Sequence, residues 1–396
     1  SPSGMDSLTS LGSFTASRAA KKVFNLSDIY LWQNYLMFAC TIHPVPAIDL
    51  LSCDADGNSS DEGKSDPRPS TPDRIECLFR FAVALLRNES SEIRNAVITC
   101  LGRVSPSSYK EFFDEIQVSL FQYVLEKRAE SGRKRKKRDN IRTFLARIFE
   151  LNAEHGCFRE SPCVLSEEGA LSPTFVEYIE NTRLYFCSGE PDRDPSAVHQ
   201  LKLNFARFIY KMIKSIPHST LRKGKLLTNE LRGSLFSVFS SWISKTGTST
   251  VEKMNLLPPD KRGELEIAAT QALCAVLRCG PVFDKCGLNN DGYFYQLIEN
   301  VLSSPDKNIN CIGQETLELL LDLNDNVPSL LEWVINKCYT GNKVTSNKCF
   351  QAFTTVMIRR PFPCEAIPVI GVVLFKTSSA DSGEREKAAQ LLQLLE

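Results

Sequence analysis

The chain has little of what most enzymes are built on. Histidine stands at only four positions, His43, His155, His199 and His218. There is no His-Glu-x-x-His helix, no Gly-x-Ser-x-Gly elbow and no glycine-rich loop leading into a helix to cradle a phosphate, so no short motif announces metal, acyl-transfer or nucleotide chemistry. No signal peptide is visible, and no apolar run approaches the ~18 residues that a membrane-spanning helix needs. Neither sign of charge is in excess: Lys plus Arg and Asp plus Glu stand at 47 each. That balance speaks against a general nucleic-acid binder, which carries a basic surplus. Alternation of the strand type is missing beyond a few residues, which argues against a large sheet.

Cysteine is more plentiful, at 14, yet it makes neither a disulfide framework nor a metal site by its spacing. Cys40, Cys100, Cys274, Cys311, Cys338 and Cys349 fall within apolar helical stripes and read as small core residues of a reduced, intracellular protein. His155 lies near Cys157 and Cys163, and Cys274 precedes Cys279 and Cys286. Both spacings are wider than the two-to-four-residue pairs that zinc favours. Asn289-Asn290-Asp291-Gly292 lacks the later acidic ligand of a calcium loop and reads as a turn. The expectation is no metal, no cofactor and no catalytic residue.

What is present is helical periodicity, over and over. A chain of 396 residues exceeds one ordinary compact domain, leaving two globular domains or one elongated solenoid open. Residues 1–26 read as a tag and flexible lead, with Ser1-Pro-Ser-Gly4 ahead of Met5 resembling a leftover of cloning. A first helix is expected within 27–51, with Ile29, Trp32 and Leu36 on its stripe. Residues 52–73 turn to Asp, Ser, Gly and Pro, too polar to recover their ordering entropy by burial, and read as an acidic disordered loop.

Two blocks of repeats follow, 74–216 and 217–396. In the first, Leu78, Phe81, Ala82, Leu85 and Leu86 form one stripe, and Ile93, Ala96, Val97, Cys100 and Leu101 the next, closed by Gly102. The second resembles the inner helix of a HEAT repeat, where small residues permit close approach. Further helices are expected at about 107–128 and 139–152, then on stripes through Phe175–Phe186, Phe205–Ile216, Ile309–Leu317 and Leu331–Cys338. Cys349–Met357, the stripe Ile367, Ile370, Leu374 and Phe375, and Leu391–Leu395 complete the series. Roughly fourteen segments, paired every 35 to 55 residues or so, predict an all-α solenoid of degenerate HEAT- or armadillo-like pairs.

The centre of the chain carries a resemblance. Glu230-Leu-Arg-Gly-Ser-Leu-Phe-Ser-Val-Phe-Ser-Ser-Trp242, Gln271-Ala-Leu-Cys-Ala-Val-Leu-Arg-Cys-Gly-Pro-Val-Phe-Asp284, Gly287-Leu-Asn-Asn-Asp-Gly-Tyr-Phe-Tyr-Gln296 and Leu330-Leu-Glu-Trp-Val-Ile-Asn-Lys-Cys-Tyr-Thr-Gly341 resemble the N-terminal conserved region of the Furry family. A weaker similarity reaches back to Asn34–Cys40. These are large morphogenesis scaffolds that work with NDR-class kinases and their MOB coactivators. The resemblance covers about half of the chain, has no short catalytic motif and carries no residue roles over. It implies a non-catalytic scaffold whose partners are an NDR-class kinase and a MOB coactivator, with roles in cell polarity and a link to microtubules. The location it implies is cytoplasmic, cortical or on the cytoskeleton and spindle. An α-solenoid adaptor for trafficking or nuclear transport is the alternative.

One charged feature breaks the balance. Arg133, Lys134, Arg135, Lys136, Lys137 and Arg138 are consecutive, in what reads as an exposed loop over 129–139 between two amphipathic helices. The run suits an acidic surface such as a tubulin tail, a phosphorylated peptide or an acidic lipid, or it serves as a nuclear import signal; a solvated hinge is the plain alternative. Nucleic acid fits less well, because no aromatic side chain interleaves with the cations to stack on bases.

Overall fold

A computed structural model describes residues 26–42, 71–125, 132–159, 161, 163–188, 194–243, 259–283, 287, 293–359 and 366–395. Among them every extended regular element is helical, and the sole strand-like feature is an isolated bridge between Leu165 and Leu171. In chain order the helices are α1 (Leu26–Thr41), α2 (Thr71–Leu85), α3 (Ser91–Leu101), α4 (Tyr109–Ile116), α5 (Gln122–Leu125), α6 (Gly132–Glu154), α7 (Pro173–Cys187) and α8 (Pro195–Ser215). After them come α9 (His218–Leu221), α10 (Asn229–Ser240), α11 (Pro259–Leu277), α12 (Tyr293–Leu302), α13 (Lys307–Leu323), α14 (Pro328–Thr340), α15 (Lys343–Arg359), α16 (Ala366–Thr377) and α17 (Ser382–Leu395). Ser90, Asp194, Thr228 and Asp306 cap α3, α8, α10 and α13 by accepting from free backbone N–H groups of the first turn.

The helices stack in two layers. In one, α3, α6, α8, α11, α13, α15 and α17 each pack on the next. The other holds α2, α4, α7, α10, α12, α14 and α16, joined by rings such as Phe113 on Phe175 at 4.8 Å and Tyr295 on Trp333 at 5.0 Å. A single hydrophobic core runs from Leu36 to Leu391 between the layers. This is an α-solenoid of irregular helix pairs, each quenched by its neighbours. Gly102 follows α3 with an ordinary right-handed φ of −71°, so it is not a left-handed cap. Its role is close approach, since a Cβ there would lie 2.5 Å from the Leu151 side chain on α6.

Several boundaries differ from expectation. The helix expected at 107–128 is interrupted by a π turn over Gln117–Phe121, which buries Leu120 and Phe121 while Val118 faces out. Helix α2 begins at Thr71, inside the stretch read as loop, with Pro72 at a position where a missing N–H costs nothing. The basic run is not a loop: all six residues lie in α6. Lys and Arg are good helix formers, and the register set by Ile141, Leu145 and Ile148 propagates upstream more easily than like charges can break it. Residues 1–25, most of the acidic stretch, 129–131 and the Asn289–Gly292 turn lie outside the described residues.

Three stripe assignments also change. Phe81 is exposed and Phe79 takes its place in the core. On α16 the expected stripe Ile367, Ile370, Leu374 and Phe375 faces outward, and Val369, Val372 and Val373 are buried instead. Cys311 is exposed. Helix α16 is apolar nearly all round, so its periodicity cannot name the side that meets a neighbour.

Candidate interaction surface

The first two turns of α6 carry the densest charge on the chain. Arg133, Lys134, Lys136 and Lys137 are exposed, whereas Arg135 and Arg138 are half-buried. The helix is held from below. Tyr123 donates its hydroxyl to the Lys134 carbonyl at 3.3 Å. Arg142, one turn past the run, is buried and donates to the Val124 carbonyl at the end of α5 (3.2 Å) and to Asn181 Oδ1 on α7 (2.6 Å). Asp139 pairs with it at 3.2 Å, and Tyr185 lies 4.8 Å beneath the guanidinium. Burial pulls the Arg142 pKa down, yet a guanidinium stays charged in any ordinary range. The cations are thus presented on a fixed helix whose N-terminal dipole adds to their charge instead of offsetting it.

Elsewhere the surface is stitched by pairs of opposite sign. Lys211 of α8 meets Glu154 of α6 at 2.6 Å, Arg207 meets Glu264 of α11 at 2.6 Å, and Asp322 pairs with both Arg222 (3.2 Å) and Arg359 (2.7 Å). Inside, polar side chains reach the last carbonyls of neighbouring helices, groups that have no partner within their own helix. Asn152 donates to the Leu101 carbonyl (2.8 Å), Asn310 to that of Leu302, and Ser346 to that of Cys338 (2.7 Å). Sequence reading missed this recurrence, because its only local trace is a polar residue interrupting an apolar stripe.

The largest such anchor is Arg232 of α10, fully buried. Its guanidinium donates to the carbonyls of Val276 (3.3 Å), Gly280 (2.7 Å) and Pro281 (2.6 Å) and to Asn229 Oδ1 (3.1 Å), with the Phe283 ring at 5.4 Å. Burial lowers its pKa, and the negative end of α11 supplies the compensating charge. Around it Phe236 packs on Phe283 (5.5 Å) and Phe294 (5.4 Å).

Near the C-terminal end a cavity of about 330 Å³ is lined by Cys338, Ser346, Lys376, Ser379 and Glu384 among others. Lys376 Nζ stands 2.8 Å from Ser346 Oγ, the spacing of a nucleophile and its base. The bonding runs the wrong way for that chemistry: Lys376 donates to Ser346 and to both Glu384 oxygens (3.1 and 3.3 Å), while the Ser346 proton is committed to the Cys338 carbonyl. An ammonium that donates cannot accept the hydroxyl proton. The cluster joins α15, α16 and α17 as a buried latch.

The remaining singled-out residues scatter. His155 and His218 are exposed and His199 is buried; the partial desolvation of the His155 and His218 rings lowers the pKa of each. Cys157 donates to the Val104 carbonyl, and Cys163 bonds Ser161. Trp242 is buried, and Trp32 and Trp333 are half-buried against the core. Among the described residues no three His, Cys, Asp or Glu side chains gather in a metal-holding group, and no helix is long and apolar enough to cross a membrane. Burial pushes the Cys40, Cys157, Cys274, Cys279 and Cys338 thiols up to about 12 and raises Cys349 further. Iodoacetamide at about pH 8 is therefore expected to label the exposed Cys77, Cys187 and Cys311 of the native chain long before those six. Peptide mass spectrometry reads the order, and equal rates would mean the core opens on the labelling timescale.

Helix α1 also keeps apolar side chains on the surface: Leu31, Tyr35, Phe38 and Ile42, three and four residues apart, are exposed opposite the buried Leu36 and Cys40.

No family model matches the sequence. Among solved structures the chain is similar to an engineered protein, at 13% identity and a TM-score of 0.36, over 80% of this chain and 95% of that one. It is also similar to Kap121p, at 13% identity and 0.28, over 81% of this chain and 33% of that one. A mutant of Kap121p gives 12% identity and 0.28, over 92% and 35%. The chain spans about a third of the length of Kap121p.

Proposed function

We propose that this chain is a non-catalytic protein-interaction scaffold of the Furry type, which holds an NDR-class kinase together with its MOB coactivator. The reading rests on the resemblance of four sequence blocks, and one observation supports it most. Those blocks, consecutive along the chain, pack on one another. Arg232 of Glu230–Trp242 bonds the Val276, Gly280 and Pro281 carbonyls of the second block. Phe236 meets Phe294 of the third, and Tyr295 of the third stacks on Trp333 of the fourth. Consecutive segments of any solenoid pack in this way, so what the packing adds is that the four resembling blocks form one contiguous body. Function by such a body is concentration: kinase and coactivator held on one stack of helices meet at an effective concentration far above their free one, with no chemistry asked of this chain.

The test is a pull-down with the immobilised chain, offered purified NDR-class kinase, MOB protein and tubulin, with import receptors and coat proteins alongside. Capture of kinase and coactivator is the expected result. Capture of import receptors or coat proteins alone would overturn it in favour of an adaptor for transport or trafficking.

A further inference from the structure

The charge on α6 is placed where a stable helix does not want it. Cations at the positive end of a helix dipole repel that end and one another. The helix forms there because its downstream stripe is buried and because Tyr123 and Arg142 clamp its first turns from below. The result is a rigid basic face. Arg133, Lys136 and Lys137 stand three and four residues apart on one side, with Lys134 flanking, all exposed.

Arg133 and Lys137 are separated by about 6 Å along the axis. Alternate side chains of an extended polypeptide repeat at close to the same interval, about 7 Å. An Asp/Glu-rich strand laid along the helix can therefore set successive carboxylates against successive cations. Longer polyanions fit less well. The whole chain is balanced at 47 charges of each sign, so a nucleic acid or a membrane sheet extending far beyond this helix finds no general basic surplus to hold it. Base stacking or insertion into a bilayer would also need an apolar or aromatic wedge. Among the described residues none of the large exposed apolar side chains lies on α6.

We infer that Arg133, Lys134, Lys136 and Lys137 form a docking face for a carboxylate-rich segment of a partner protein. The inference presupposes only that the chain binds proteins, not which ones.

The test is fluorescence anisotropy on the whole chain with a labelled oligoglutamate peptide, at about 50 and about 200 mM salt. Wild type is expected to bind, and to bind several-fold more weakly at the higher salt. A quadruple variant, Arg133→Gln with Lys134→Gln, Lys136→Gln and Lys137→Gln, should lose roughly tenfold or more in affinity with its circular dichroism unchanged, since Gln is a good helix former. A second variant, Lys136→Glu with Lys137→Glu, guards against unfolding as the cause: acids near the helix start should raise the melting temperature while binding is lost. Equal affinity of the quadruple variant and wild type overturns the inference. So does tighter binding, at matched charge concentration, to phosphatidylserine vesicles or to oligothymidylate. Failure here leaves the kinase and coactivator reading untouched, because the pull-down scores that separately.

Discussion

Replacing Arg232 with Ala is expected to be the most damaging single exchange in the C-terminal half, costing about 3–5 kcal/mol of stability. The guanidinium is fully buried, and its counter-charge is not a carboxylate but the carbonyls of Val276, Gly280 and Pro281 where α11 ends. Removing it strands those acceptors and leaves a void between α10 and the loop after α11. Arg232→Lys keeps the charge but cannot reproduce the planar fork, so it should recover only part of the loss. An independent variant probes the same contact from the other side. A Cβ at Gly280 would lie 2.8 Å from Arg232 Nη1 and 3.2 Å from the Gly224 carbonyl, so Gly280→Ala must displace the guanidinium. The Gly280→Ala/Arg232→Ala double variant should then cost less than the sum of the two singles. Urea midpoints measure all three. A loss under about 1 kcal/mol for Arg232→Ala would remove the guanidinium as the joint between the blocks.

Phe175→Ala should cost about as much in the N-terminal half, 3–5 kcal/mol or so. Its ring, buried on α7, stacks on Phe113 at 4.8 Å and 15°, meets Phe149 and Phe158 at 5.1 Å each, and reaches Phe208 at 6.4 Å. It ties α4, α6 and α8 to α7, so no neighbour can relax into the void without dragging another. Because the solenoid is held by nearest neighbours, the damage should stay local. Hydrogen exchange is expected to rise across α4, α6, α7 and α8 while α14 to α17 keep wild-type protection. Uniform loss of protection along the whole chain would mean that the stack behaves as one cooperative globule instead.

The stretches that sequence placed well share one property: a single apolar face with polar residues elsewhere. Ala96, Val97, Cys100 and Leu101 are buried as their spacing predicts, as are Leu331, Val334 and Cys338. Reading failed where the local pattern was ambiguous. Phe79 and Phe81 sit on opposite sides of α2, and either could have faced the core. The basic run reads as a loop by its charge density, whereas helix propensity and the register of the stripe that follows make it helix. The candidate site was legible as six cations but not as a face, since only the fold separates the four that are exposed from Arg135 and Arg138.

The sequence by itself determined that the chain is a succession of amphipathic helices needing one another for burial, because a helical stripe is written within a few turns and depends on nothing farther away. Only the tertiary structure decided which of two apolar sides α1 and α16 bury, that the cations of α6 ride on a clamped helix, and that Arg232 closes the end of α11. Each of those outcomes is set by a neighbour many residues distant, and the free energy of a contact belongs to both partners, so no window along one of them contains it.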